Sequence, residues 1–119
     1  MKNFKEDNLI QTKTFEFALR IIKFYTQCKS QNEFILSKQI LRCGTSIGAN
    51  VEEAIAAQSK KDFISKLSIA NKEARETKYW LKLYQSSNLV QIEIDSYLNE
   101  IESIINILTK IIKTSSENL

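Results

Sequence analysis

Residues 39–81 read QILRCGTSIGANVEEAIAAQSKKDFISKLSIANKEARETKYWL. Two helical patterns run through this stretch and meet at Ser59. In the first, a line that starts upstream at Leu36 continues through Ile40, Cys43, Ile47, Val51 and Ala54 at spacings of three and four, one face of an α-helix. In the second, Phe63, Leu67, Ala70, Ala74, Thr77, Leu81 and Tyr84 alternate steps of four and three. That is a heptad seam, the pattern of a helix lying along a neighbour. The Ser59 hydroxyl is placed to cap the second helix, and Asp62 sits where the positive end of the helix dipole favours an anion. Ala70 and Ala74 are small enough to let a neighbour come close.

Gly44 and Gly48 lie one turn apart beside the first line, with Leu41 and Ile55. A glycine inside a helix costs ~1 kcal/mol relative to alanine. The pair marks either a close helix–helix crossing or a break at Gly44, with Thr45 or Ser46 capping the second piece.

Working outward, Phe15, Ala18, Ile22 and Tyr25 predict the buried stripe of a first helix over residues 9–28. Phe17, Leu19, Ile21 and Phe24 widen its apolar arc, and Lys13, Glu16, Arg20, Lys23 and Gln27 form its wet edge. Ser30 followed by Glu33 is a capping box, which predicts the second helix over 33–57. The third helix is expected over 60–86, closed by Asn88 in the left-handed conformation with Leu89 supplying the apolar contact. Ile94, Leu98, Ile101, Ile105, Leu108 and Ile112 predict a fourth over 91–113. The polar tail, 114–119, is expected to be flexible. Short connections make consecutive helices antiparallel. The expected fold is therefore all-α, a single domain over residues 1–119, built as an up-down-up-down antiparallel four-helix bundle of left-handed twist with crossings of ~20°.

Composition agrees. The chain has 119 residues with no proline and only two glycines, so nothing forbids long helices. No apolar run approaches the ~20 residues of a membrane span. The start, MKNFKED, lacks a signal-peptide pattern, and a cytoplasmic protein is expected. Cys28 and Cys43 form no C-x-x-C pair and read as buried free thiols. There is no histidine, which removes the commonest general base and transition-metal ligand. Ser–His and Cys–His nucleophile pairs and the E-x-x-H signature of di-iron bundles are thereby excluded. The Glu52–Glu53 and Glu73/Glu76 pairs have neither a nucleophile nor a nucleotide loop beside them. No enzyme, cofactor or metal site is expected.

On a helical wheel, the third helix divides in three. Besides the seam, one line carries Lys61, Ser68, Lys72, Arg75, Tyr79 and Lys82, without an acid. Cations in a row can follow a polyanion, and Tyr79 offers a ring for an unpaired base; solvated helix surface is the plain alternative. Between Lys13 and Lys82 there are 13 basic and 7 acidic residues, a net +6, and from Leu83 onward a net −3, within an overall +3. That imbalance favours nucleic acid as a partner. Arg20 and Lys23 are secondary candidates. The other line carries Ile69, Glu73, Glu76, Trp80 and Leu83. Trp80 and Leu83, with Phe17 and Phe24 on the first helix, exceed what one bundle is expected to cover, and predict a homo-oligomer. The second helix shows a polar line of Gln39, Arg42, Ser46, Asn50 and Glu53. Arg42 is suited to a two-point pairing with Glu73 or Glu76, and these residues are expected to form a polar network within or between subunits.

One family shares these choices. Gln39-x-x-Arg42, Thr45-Ser46-Ile47, Ala49-Asn50-Val51, Glu53-Ala54, Asp62-Phe63, Ala70, Glu73, Glu76-Thr77 and Tyr79-Trp80-Leu81 resemble the four-helix-bundle proteins first known as 23S-rRNA intervening-sequence proteins, relatives of the accessory protein of diversity-generating retroelements. The resemblance is strong over 34–84 and elsewhere is one of helical patterning. It implies the same bundle fold and a ring-like homopentamer. By resemblance to the retroelement type it implies a basic pentamer that engages nucleic acid and a reverse transcriptase; the ligand expected at the basic surface is RNA or an RNA/DNA hybrid, bound with little sequence preference, and a protein-interaction scaffold without nucleic-acid affinity is the alternative.

Overall fold

The computed structural model describes residues 4–118, with side chains from Asn8 onward. Four helices make up the fold: α1 (Phe4–Ser30), α2 (Leu36–Ile55), α3 (Lys60–Ser87) and α4 (Asp95–Glu117), with no strand among the described residues. They pack into a rod of 47 × 20 × 19 Å. Each helix lies against two others, in the cycle α1–α2–α3–α4–α1. Side chains mark the alignment. Gln11 of α1 donates to Glu52 of α2 at 2.8 Å, and Lys66 of α3 pairs with Glu53 of α2 at 3.2 Å. Lys78 of α3 meets Glu102 of α4 at 2.5 Å, and Arg20 of α1 meets Glu100 and Ser96 of α4.

The α3 seam is buried throughout, from Phe63 to Tyr84. Phe24 joins it to the other helices, with its ring edge-on to Tyr84 at 5.0 Å and to Tyr97 at 5.2 Å. Ser59 accepts the Asp62 amide at 3.0 Å, and Asn88 closes the helix in the left-handed conformation. The glycines serve a close crossing, because α2 is continuous through both. A methyl on Gly44 would stand 2.9 Å from the Ile21 side chain, and one on Gly48 would stand 3.3 Å from the Thr14 carbonyl. Cys28 and Cys43 are free and fully buried. Burial pushes each thiol up to about 11, so neither carries thiolate at neutral pH.

On α1 the stripe is turned from the expected one. Ile10, Thr14, Phe17, Ile21, Phe24 and Cys28 face the core, whereas Phe15 and Ile22 are exposed and Ala18 and Tyr25 half-buried. Two apolar rows run along this helix, and the inward one continues for six positions while Phe15, Leu19 and Ile22 are flanked by Thr12 and Thr26. The longer row wins because it meets neighbours along its whole length. Phe17 and Phe24 therefore do not contribute to an uncovered surface.

The expected capping box is also replaced. Ser30 belongs to α1, and α2 starts three residues later than expected. Glu33 caps it instead, from the turn. Its carboxylate accepts the amides of Ile35 (2.9 Å), Leu36 (2.8 Å) and Ser37 (3.0 Å), and the Tyr84 hydroxyl at 2.5 Å. The longer spacing comes from Asn32, whose left-handed backbone (φ 66°) makes room for a turn. At the other turn at this end, Leu89 is exposed and Val90 is the buried contact. Gln31 and Gln91 tie the two turns together with reciprocal bonds of 3.1 and 2.7 Å. Helix α4 begins at Asp95, with Glu93 accepting the Ser96 amide. It runs through residues 114–117, with Ser115 buried, where a flexible tail was expected.

Two outcomes follow from this packing. Burial alone would raise the Glu33 carboxyl, but the Tyr84 hydroxyl and three backbone amides outweigh it and hold the group below its usual 4.5. A depressed carboxylate stabilises the fold fully above that usual value and loses its contribution as pH falls through the lowered one. Glu33→Gln should cost about 1–3 kcal/mol at pH 7 in urea unfolding, with the difference from wild type shrinking below pH ~4.5. An unchanged difference across that window contradicts the assignment. Gly44→Ala should lower stability by roughly 1 kcal/mol, because overpacking against Ile21 exceeds the gain in helix propensity; an increase in the urea midpoint contradicts the close crossing.

Candidate functional site

The outer face of α3 is dictated by its buried one. Two residues before each buried seam position lies ~200° around the helix, and those positions are Lys61, Ser65, Ser68, Lys72, Arg75, Tyr79 and Lys82. All are exposed except Ser68, which is half-buried, and exposed Ser86 continues the line. The row spans ~32 Å from Lys61 to Lys82 at helical rise. It holds cations, hydroxyls and one ring, with no carboxylate.

The ion pairs sort the cations of α3 into two sets. Those on its flanks are engaged: Lys60 donates to the Asn118 carbonyl at 2.7 Å, Lys66 pairs with Glu53, and Lys78 pairs with Glu102. The bond and charge of Lys78, with a smaller contribution from the charge of Arg75, hold Glu102 below its usual value. Among the described residues, Lys61, Lys72, Arg75 and Lys82 have no ion-pair partner. The unpaired charges are thus the ones that point outward in line.

Beside this row lies the polar network. Arg42 of α2 reaches both carboxylates of α3, with Glu73 at 3.3 Å and Glu76 closer. Ser46 donates to Glu73 at 2.6 Å, and Asn50 to the Ser46 carbonyl at 2.9 Å. Trp80 donates its indole N–H to Glu76 at 3.0 Å. Trp80 is half-buried against the core edge, and the Tyr79 ring stands edge-on to it at 5.5 Å. Glu53 is bound to Lys66 rather than to this network, and Gln39 is exposed with no bond to it. With Arg42 half-exposed, the network is a surface clasp between α2 and α3, worth on the order of 1 kcal/mol.

Arg20 does not join the basic row. It is held at the α1–α4 contact by Glu100 and Ser96, with its guanidinium 4.0 Å above the Tyr97 ring. Lys23 is exposed on α1, apart from α3.

Around the C-terminal half of the row, Arg75, Lys78, Tyr79, Lys82, Leu83 and Ser86 line an open groove of about 470 Å³. Ser65 and Ser86 were not singled out as functional from the sequence, and Leu83, expected at a subunit interface, is half-buried beside this groove. The offset of two from the seam is the signal that would have found Ser65, and Ser86 follows one turn after Lys82. A second surface was also missed. Phe15, Leu19 and Ile22 form an exposed apolar ridge on α1, 65, 53 and 47% accessible. A groove of about 240 Å³ runs beside it over Thr14, Ala18, Thr45, Gly48 and Ala49.

Comparison with known proteins fits this architecture. The family model described as 23S rRNA-intervening sequence protein matches residues 6–110. A crystal structure from Bacteroides thetaiotaomicron, of a protein with unknown function from the S23 ribosomal protein family, is similar to this chain at 49% identity and a TM-score of 0.86, covering 91% of this chain and 98% of that one. Against curated proteins the chain has no match.

Proposed function

The chain belongs to the 23S rRNA-intervening sequence protein family, and from that premise we propose that it is a non-enzymatic, oligomeric bundle that binds nucleic acid through the outer row of α3. The observation that carries this reading is the sorting of charges: Lys66 and Lys78 on the flanks of α3 are paired with carboxylates, whereas Lys61, Lys72, Arg75 and Lys82 in the outer line have no carboxylate within ion-pair distance among the described residues. Unpaired cations along one axis attract a polyanion and release its counterions. The ligand is RNA or an RNA/DNA hybrid, bound with little sequence preference because no base-reading constellation accompanies the row. The absence of histidine supports a binding rather than a catalytic role.

The finer architecture belongs to the same proposal. The inter-helix contacts pair early residues of one helix with late residues of the next, which supports an antiparallel, up-down-up-down bundle, and a left-handed twist is the expectation from the heptad seam of α3. The exposed ridge of Phe15, Leu19 and Ile22 supports self-association, because apolar rows of this kind rarely stay in water. The ring of five and the reverse-transcriptase partner come from the family resemblance, and the compartment is the cytoplasm. No helix among the described residues is long and apolar enough to cross a membrane. The same ridge also favours a second reading, a scaffold that assembles without nucleic-acid affinity.

Retention on RNA at low and moderate salt separates the two. Wild type should bind at low salt. A Lys72→Gln, Arg75→Gln, Lys82→Gln variant should lower the slope of log affinity against log salt by about 2 on a single strand. Absent binding, or a slope the variant leaves intact, favours the scaffold. Light scattering should give a mass several times 13.8 kDa, five times for the ring. Leu19→Asp with Phe15→Asp should shift it toward one chain; a wild-type mass of a single chain rejects the oligomer.

A further inference from the structure

We propose that the groove at the C-terminal half of α3 is a subsite for one unpaired nucleotide, so that the protein selects single-stranded over double-stranded nucleic acid. This rests on the reading of α3 as a nucleic-acid surface and goes beyond it. A row of cations alone does not distinguish the two, since both offer phosphates. The distinction comes from Tyr79.

Tyr79 is 56% exposed, although it is a large ring on a helix with a buried seam available. It lies one turn from Arg75 on one side and one turn from Lys82 on the other, so the two cations sit ~10 Å apart along the axis with the ring between them. Neither cation has an ion-pair partner among the described residues. Leu83 gives the groove an apolar wall, and Ser86 adds a hydroxyl at its end. A flat apolar ring between two cations matches the chemistry of a nucleotide, whose base is flat and whose flanking phosphates are anionic.

The ring is also held. Trp80 stands edge-on to it at 5.5 Å and is fixed by its bond to Glu76, which Arg42 clasps from α2. A braced ring loses less freedom when a base stacks on it, and preorganisation of this kind raises affinity. In a duplex the base faces are covered by their neighbours, and only a base outside the stack can lie on Tyr79. The groove is open and lined by one helix, so it offers a face for stacking but does not enclose a base to read its edge. Preference for an unpaired strand without preference for sequence is the consequence.

The test uses the full chain and labelled oligouridylate of about 12 nucleotides, a length within known single-strand site sizes, alone and annealed to its complement, followed by fluorescence anisotropy at one salt concentration. The single strand should bind roughly ten-fold more tightly, the scale of one base–aromatic contact. Tyr79→Ala should weaken single-strand binding about ten-fold and so remove that preference, and Tyr79→Phe should retain it, because the ring and not the hydroxyl acts. Circular dichroism of each variant should match wild type, since the side chain projects from the helix surface. Equal affinity for both forms, or a preference that survives Tyr79→Ala, overturns the subsite while the broader nucleic-acid reading stands. Binding of neither form overturns both.

Discussion

The heptad seam of α3 is the constraint on which the rest depends. Its large members, Phe63, Leu67, Leu81 and Tyr84, are almost fully buried, and each contributes about 1.5–3 kcal/mol by leaving water. A rotation of the helix by half a turn would expose them and bury Lys72 and Arg75 without partners, at several kcal/mol per charge. Nothing in the surface network offsets losses of that size. The phase of α3 is therefore fixed by apolar burial, and the outward direction of the cations is inherited from it. Because the two rows share one period and differ by two residues, a straight core seam necessarily yields a straight basic row. The site is a by-product of packing geometry, filled by the choice of lysine, arginine, serine and tyrosine at positions that packing leaves free.

Glu33 secures that phase at one end of the rod. A carboxylate with four donors is well compensated for its burial, and it connects three elements: the turn after α1, the first turn of α2, and Tyr84 at the end of the α3 seam. The reciprocal Gln31–Gln91 bonds hold the turn before α4 against the same place. Asn32 and Asn88, both left-handed, shape the two turns at this end, a conformation that asparagine accepts more readily than most residues. Farther along the rod, Gly44 and Gly48 set the depth at which α1 meets α2. Turn chemistry and two missing side chains thus fix the position of a helix pair whose own apolar pattern is ambiguous.

That ambiguity marks how far the sequence could be read. Helix α3 was legible to its caps, since seam, Ser59 and Asn88 all agree. Helix α1 was not, because it carries apolar residues on opposite sides at the same spacing. Periodicity finds both rows and cannot say which one meets a neighbour. The decisive fact is that Ile10 and Cys28 extend only one of them, and it counts only once helix length is known. Glu33 misled for a related reason: Ser-x-x-Glu matched a capping box, but the turn at Asn32 moved the helix start and turned the third-position acid into the cap itself. For the candidate site, residue types and alignment were readable, whereas ion pairing was not. Arg20 looks as available as Arg75 in sequence. The approach of α4, through Glu100 and Tyr97, ties it up on α1.

The two unassigned surfaces bear on each other through the order of packing. In the cycle α1–α2–α3–α4, helices α1 and α3 are diagonal. Each exposes the face opposite its buried stripe, so the apolar ridge of Phe15, Leu19 and Ile22 and the cations of α3 point away from each other across the rod. Contacts made through α1 leave the α3 row in water. An assembly built on that ridge would carry one outward basic row per copy, and its field would grow with the number of copies while each row kept its own groove. The converse arrangement, with copies meeting through α3, would bring unpaired lysines together without an acid among them and would be opposed by repulsion. The charge distribution therefore disfavours a contact of α3 with α3, and leaves the ridge on α1 as an apolar face open to sharing.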